Sequence, residues 1–389
     1  MIEYVEIRSA ATRELEAIID TADTVVWQSQ YYGVGEFGIY VAATRENIAA
    51  LRRGNYVTRP NNDEVGIIER IEIKTDENGF KMLDASGRFV KSLLNRRVVF
   101  SATIDGVGND YIWRVPINTL SGNVELAVRK LVSDNAVNPA ITARAMNIIE
   151  LNDADISHLP DIIVVKDSDN KDTAADKQTE LQNLLEYSDG LLEEYSMGAT
   201  MYLDYGTYNF RYKVYRGRDL SVDNTEGNEP LIFSQEFDNL LTSEYAEDDT
   251  SYKNTAIIGG EGEGIDRYYA FANASNAGLA RRETFINASG IKREYEDAED
   301  QKQTYTLEVY RKMLEAQGSQ TLGALKLSST FIGEADLTRS ALVYGVDYKL
   351  GDLVTVEDKD LGIYVNVRIV GVTETQDEDG YKIEIEFGN

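Results

Sequence analysis

His158 is the single histidine of this 389-residue chain, and cysteine is absent. Together these limit the available chemistry. A lone imidazole can act as the base of a Ser-His-Asp triad. Ser157-His158-Leu159-Pro160 instead reads as a loop beside a turn, with the ring in a surface or capping role. Zinc sites usually take several His or Cys ligands, and one is on offer. Without thiols there is no disulfide, no thiolate metal site and no Cys nucleophile. That fits folding in a reducing cytosol.

Asp167-Ser168-Asp169-Asn170-Lys171-Asp172 opens like a calcium loop. An EF-hand needs Asp or Asn at the fifth position, Gly at the sixth and Glu at the twelfth. Lys171, Asp172 and Gln178 stand there, so a solvated acidic loop is the expectation. Gly259-Gly260-Glu261-Gly262-Glu263-Gly264 looks like a phosphate cradle, yet its two carboxylates would repel phosphate and no Gly-Lys-Ser/Thr follows. It reads as a turn in which glycine permits unusual backbone angles. With 67 acidic residues, closeness in sequence does not single out a glycosidase acid/base pair. The expectation is no enzyme activity, no metal and no cofactor.

Two charged clusters remain. Arg281-Arg282-Glu283 is a basic patch in an acidic chain, and Gly217-Arg218-Asp219 is a second short one. An Arg forks onto a carboxylate with two parallel hydrogen bonds. Each cluster reads either as an intersubunit or interdomain ion pair, or as an exposed strand of alternating charge.

The elements that would position these residues are mostly strands. Residues 1–115 show short strands and close turns, including Gly66–Lys74 and Phe80–Leu83 around Asp76-Glu77-Asn78-Gly79. Asn-Gly between such runs is a hairpin signal. A short helix is expected over Ser86–Leu94. Residues 116–198 turn helical: Val124, Ala127, Val128 and Leu131 recur at helical spacing, with Ser121 and Asn123 as cap candidates. Ile141–Leu151 is expected as a second helix, and the leucines from 181 to 192 as a third. From 199 to 389 strands return. Met201, Leu203 and Tyr205, then Phe210, Tyr212 and Val214, alternate as a hairpin with one buried face. An inserted segment at about 260–320 carries a long helix, expected over 296–317 with acidic residues at its start and Gly318 as its stop. The expected fold class is mainly β with helical insertions (α+β overall), in two barrel-like β domains, 1–115 and 199–389, flanking the helical insertion 116–198.

The net charge is −28. It argues against binding nucleic acid through phosphates, which needs a basic footprint, and against docking on anionic lipid. The start, MIEYVEIRSAATRELEA, shows no signal-peptide pattern, and no apolar run approaches a bilayer span. Twenty-four tyrosines suit half-buried strands and interfaces.

Three stretches carry a resemblance: GRDLSVDNTEGNEPLIFSQEFDNLL (217–241), YKNTAIIGGEGEGIDRYY (252–269) and GLARRETF (278–285). Their order of turn, short strand, Asn, strand, Gly-rich turn and charged clamp resembles the siphophage tail-tip or baseplate hub family of viruses of Gram-positive bacteria, and the similar hubs of contractile injection particles. The matching residues are Gly217, Arg218, Asp219, Asn239, Lys253, Asn254, Gly259, Gly260, Arg267, Arg281, Arg282 and Glu283, with Gly351 and Asp352 of the closing segment. They form a candidate structural or interface motif and are not catalytic. The specific part covers about 215–290.

The resemblance implies a virion structural protein of the tail tip, assembled in the host bacterial cytoplasm. Three copies would form a ring around the DNA ejection channel. The ring would join a tail tube or distal-tail ring to a central spike, fibre or tail lysin. Each copy would bring two barrel-like domains, so that a trimer imitates six-fold symmetry. The chain ends at Asn389, so any fibre or lysin is expected from another protein. A carboxylate-lined bore would repel passing DNA. The competing reading is a host-surface polysaccharide-binding or polysaccharide-cleaving tail protein. A third is an unrelated bacterial binding module with similar barrel turns.

Overall fold

The computed structural model describes residues 1–99, 112–115, 124–152, 165–166, 172–173, 177–296, 302–325, 328–335, 342–360 and 362–388. The protein is mainly β, with few helices. His158, Ser121, Asn123 and Asp167–Lys171 lie outside the described residues.

Alternating side chains build the first core. Strands Thr24–Gln30 and Glu36–Ala42 bury Val25, Trp27, Phe37, Ile39 and Val41 on one face. Period-two burial of this kind gives a sheet with one wet side. Val5–Arg8 and Tyr56–Thr58, from a separate four-stranded sheet, add Val5, Ile7 and Val57 to the same cluster. Arg70–Thr75 and Lys81–Arg88 pair as the expected hairpin. In its loop, Gly79 takes φ +86°, and the Asp76 carboxylate accepts the N–H groups of Asn78 and Phe80.

One ten-stranded sheet links the two ends of the chain. Its main path runs Leu240–Asp248, Ser328–Ala335, Gly380–Gly388, Ile363–Asp377, Thr24–Gln30, Glu36–Ala42, Lys81–Arg88, Arg70–Thr75. Ile363–Asp377 is the connecting strand. Its first half pairs with Leu353–Asp358, and its second half pairs with Val25–Gln30. Leu353–Asp358 in turn pairs in parallel with Ile232–Ser234. A C-terminal core of Phe233, Phe331, Val354, Val356, Ile369, Ile385 and Phe387 lies beside this strand.

The helices share a further core with the 198–215 hairpin. Helix Val124–Val132 buries Val124, Ala127, Val128 and Leu131, as their spacing predicts. Helix Leu184–Glu194 is capped by Asn183, whose side chain accepts the N–H groups of Leu185 and Glu186. Both pack with Met201, Leu203, Phe210, Tyr212 and Val214.

The helix expected over 141–151 is a correction. Thr142–Arg144 is a single 3-10 turn, and Ile149–Leu151 is a strand pairing in parallel with Phe210–Tyr212. Three apolar residues in five suit either element; the free edge of the hairpin decided it. Similarly, 86–94 splits into the end of strand Lys81–Arg88 and a 3-10 segment, Val90–Arg96.

The long helix is also displaced. Glu294–Glu296 pairs with Lys302–Thr304 as a small hairpin, and the helix runs Leu307–Ala324 with Thr306 as its cap. Gly318 lies inside it. There the missing side chain lets the helix approach the sheet, since a Cβ would stand 2.5 Å from Ile258 Cδ1. The glycine signals close packing rather than an end.

Candidate functional site

Tyr31 stands where three parts of the chain meet. It follows strand Thr24–Gln30, and its N–H donates to Val370 O at 2.8 Å. The side chain is fully buried. Its ring lies against Gly198 and Gly351, and a Cβ on either would overlap it. The hydroxyl oxygen accepts the Gly217 N–H at 3.3 Å. Its proton points to the carbonyls of Ser196 (3.1 Å) and Tyr215 (3.3 Å). The Arg368 guanidinium lies 5.6 Å from the ring centroid. Burial pushes the phenol up to about 12, so it stays a neutral donor.

Beside it, Gly217 presses on the backbone of Gly351 and Asp352 so closely that no side chain fits. Gly351 adopts φ +92°, the left-handed region that favours glycine. Asp352 is buried. It accepts the Arg218 backbone N–H at 2.8 Å, Arg218 Nη2 at 2.6 Å and the Lys349 N–H at 2.9 Å. Arg218 Nη2 also donates to Asp347 O. Asp219 carries the chain into a bridge with Leu353 and caps Ser221. The clusters 217–219 and 351–352, about 130 residues apart, thus form one site.

A buried polar group lies between the N-terminal sheet and the connecting strand. Arg59 forks onto Glu374, which also accepts the Tyr381 hydroxyl. The Arg59 guanidinium lies 5.1 Å from the Trp27 ring centroid. Glu64 accepts the Ser29 hydroxyl and Trp27 Nε1–H. Burial pushes its carboxyl up to about 7, against the lowering effect of those bonds and of Arg59. No sequence pattern singled out Arg59, Glu64, Glu374 or Tyr31.

The remaining motif residues organise a lobe, 253–325, set between strands Leu240–Asp248 and Ser328–Ala335, which pair with each other. Its three-stranded sheet has Thr255–Gly259 in the middle, Tyr269–Ala272 antiparallel on one side and Glu283–Asn287 parallel on the other. Helix Leu307–Ala324 covers one face through Tyr310 and Leu314. Asn254 acts as a clasp: its side chain donates to Ala280 O and accepts the Arg282 N–H. The Lys253 N–H donates to Leu325 O, closing the lobe at its base. Arg267 donates to the carbonyls of Gly259 and Gly260, and its Nη2 also reaches Asn287. Gly260 is side-chain-free because Tyr310 and Leu314 occupy the space. Arg281 holds Glu283 and the carbonyls of Ala274 and Asn276; Arg282 holds Asp249. Asn239 lies apart, tying Ile232 O to the Ser234 N–H.

Shallow hollows occur among the described residues. One is lined by Asn95, Arg96, Arg97, Val98, Ala143 and Arg144, another by residues that include Asp23, Tyr40, Asp76 and Phe80. Among the described residues, no three His, Cys, Asp or Glu side chains are placed to hold a metal ion. No described helix is long and apolar enough to cross a membrane.

The family model described as Siphovirus ReqiPepy6 Gp37-like protein matches residues 4–389. The chain belongs to this family. It is a family of siphovirus tail proteins. Solved phage tail proteins share the fold. A prophage MuSo2 43 kDa tail protein from Shewanella oneidensis aligns with a TM-score of 0.56 at 11% identity, over 99% of this chain and 98% of its own. A tail protein from Neisseria meningitidis MC58 aligns with a TM-score of 0.52 at 12% identity, over 99% and 96%. The prophage tail protein gp18 from Listeria monocytogenes EGD-e aligns with a TM-score of 0.50 at 11% identity, over 99% and 94%. Among curated proteins, no relative matches the sequence.

Proposed function

We propose that this chain is the hub subunit of a siphophage tail tip or baseplate. Three copies close into a ring that joins the tail tube or distal-tail ring to a central spike or fibre and surrounds the DNA channel. The observation that carries this reading is the family match over 4–389 together with a tail-protein fold over nearly the whole chain.

The physical role of the motif residues follows. Gly217, Arg218, Asp219, Gly351 and Asp352 lock the C-terminal strands onto Tyr31, so the two β-rich parts move as one body. A hub needs that stiffness, because ring closure fixes the angle between neighbouring subunits. Asn254, Gly259, Gly260, Arg267, Arg281, Arg282 and Glu283 keep the lobe in shape. The protein works by shape and self-association, with no bond-making step. The net charge of −28 suits a channel wall that repels DNA.

Antibody labelling of intact particles tests the assignment, with quantitative mass spectrometry of purified tails. Label at the tail tip and three copies per particle is the expected result. Label spread along the tube, or absent from tails, rejects it.

A further inference from the structure

We propose that the uncovered face of the lobe's sheet docks a second copy of this chain. The face has a clear register. Ile257 pairs with Phe271 on one neighbouring strand and with Phe285 on the other, so the three side chains form a row. Tyr269 stands one row along, opposite Gly259. Helix Leu307–Ala324 covers the opposite face, where Ala256, Ile258, Ala270 and Ala272 are buried. On the outer face Phe285 is 56% exposed, Phe271 48% and Tyr269 43%.

The loops at the two ends of the sheet carry further exposed apolar residues. Each loop holds a 3-10 turn, Gly264–Asp266 and Gly278–Ala280. Gly264 and Gly278 take φ +56° and +63°, and the next residues, Ile265 and Leu279, are fully exposed. Single exposed apolar residues are ordinary. A clustered set around one sheet face marks a binding surface.

Charge selects the occupant. The sheet and its loops, residues 253–293, contain six basic side chains (Lys253, Arg267, Arg281, Arg282, Lys292, Arg293) and four acidic ones, a net +2 in a chain of −28, while the rest of the lobe, 294–325, contains three basic and seven acidic ones. The rest of the molecule therefore carries −30. Arg267 lies 5.5 Å from the Phe285 ring centroid, and its guanidinium hydrogen bonds run to carbonyls and an amide. It brings a positive charge to the rim of an apolar patch. A partner that meets both features is apolar at its centre and acidic around it. The acidic remainder of another copy supplies the second, and a patch that meets a different surface of the next copy is the head-to-tail contact a ring requires. The inference deepens the hub reading, and the two fail separately.

Sedimentation of the full chain over a range of concentrations tests it, with the double variants F271E/F285E and I265E/L279E. Ile265 and Leu279 support no core, so the second variant keeps its fold. The wild type associates, and each variant raises the dissociation constant at least about tenfold. A photo-cross-linking residue at position 285 gives an adduct of two copies. Wild-type protein that stays monomeric up to about 100 μM overturns the docking proposal. So do variants that associate like wild type, but those place the subunit contact elsewhere and leave tail-tip location and copy number as the hub's own test.

Discussion

The ring of Tyr31 fills the space that a side chain at Gly351 would need. The two residues lie far apart in sequence, and their contact sets the N-terminal sheet on the closing strands. Gly351→Ala adds a Cβ into that ring at φ +92°. We expect a loss of about 3 kcal/mol or more, from overpacking plus a strained backbone. Tyr31→Phe keeps the packing and strips one acceptor from the Gly217 N–H, for about 1–3 kcal/mol. Urea denaturation ranks the pair; a larger loss for Tyr31→Phe would show that the hydroxyl, not the close packing, dominates.

Asp352 gathers two backbone N–H groups and the Arg218 guanidinium at a buried position. Asp352→Asn leaves the shape and removes the charge that all three donors share. Charge-assisted bonds of this kind are worth about 1.5–3 kcal/mol each. A double-mutant cycle with Arg218→Gln should return a coupling of about 1 kcal/mol or more. Additive losses would remove the ion pair from the account.

Glu64 makes stability depend on pH. Its folded pKa, about 7, lies above the ordinary carboxylate value of 4.5. The folded state therefore holds the proton that the unfolded state has released. By linkage, this group's contribution falls as pH rises from about 4.5 to about 7. Glu64→Gln keeps an acceptor for Ser29 and Trp27 and cannot ionise. It should gain on wild type by roughly 2 kcal/mol between pH 5 and pH 8. A difference that stays flat across that window contradicts a titrating Glu64 with a raised folded pKa.

Arg59 and Glu374 form an ion pair whose side chains are 7% and 5% exposed. Removing one partner strands a buried charge. Arg59→Met alone should cost about 3–5 kcal/mol, and the double variant Arg59→Met with Glu374→Leu much less. Thermal melts of the three proteins decide it, and a double variant no more stable than the single one would mean that a stranded charge is not the source of the loss.

Gly318 gives the lobe its own weak point. Alanine favours a helix by about 1 kcal/mol over glycine. Here its Cβ would meet Ile258 Cδ1 at 2.5 Å and Ala272 Cβ at 3.0 Å. Gly318→Ala should loosen the lobe by about 1–3 kcal/mol, with limited proteolysis falling between 253 and 325. Unchanged or slower cleavage would show that the neighbours yield.

Much of the fold was legible locally. The alternation of Met201, Leu203 and Tyr205, then Phe210, Tyr212 and Val214, specified a hairpin with one buried face; the structure buries five of the six, and Tyr205, past the strand end at Asp204, is exposed. Val124, Ala127, Val128 and Leu131 specified a helix in the same way. Ile149–Leu151 was not legible, because a three-residue strand has no period of its own and exists through its neighbour. The helix start at Leu307 was missed for a related reason. Acidic residues before a helix suit its dipole wherever they stand, and only the pairing of Glu294–Glu296 with Lys302–Thr304 shows that the first of them belong to a hairpin.

Sequence alone determined the chemistry that is missing from the chain and the periodicity of its larger elements. Absent thiols, a single imidazole and a net charge of −28 are properties of composition, and alternation is a property of neighbours. Tertiary structure decided which distant residues share a site. Tyr31 with Gly198, Gly217 and Gly351, Arg59 with Glu374, and the open row Phe271–Ile257–Phe285 depend on strand order and register. Those are set by burial summed over the whole chain, which no short window of sequence contains.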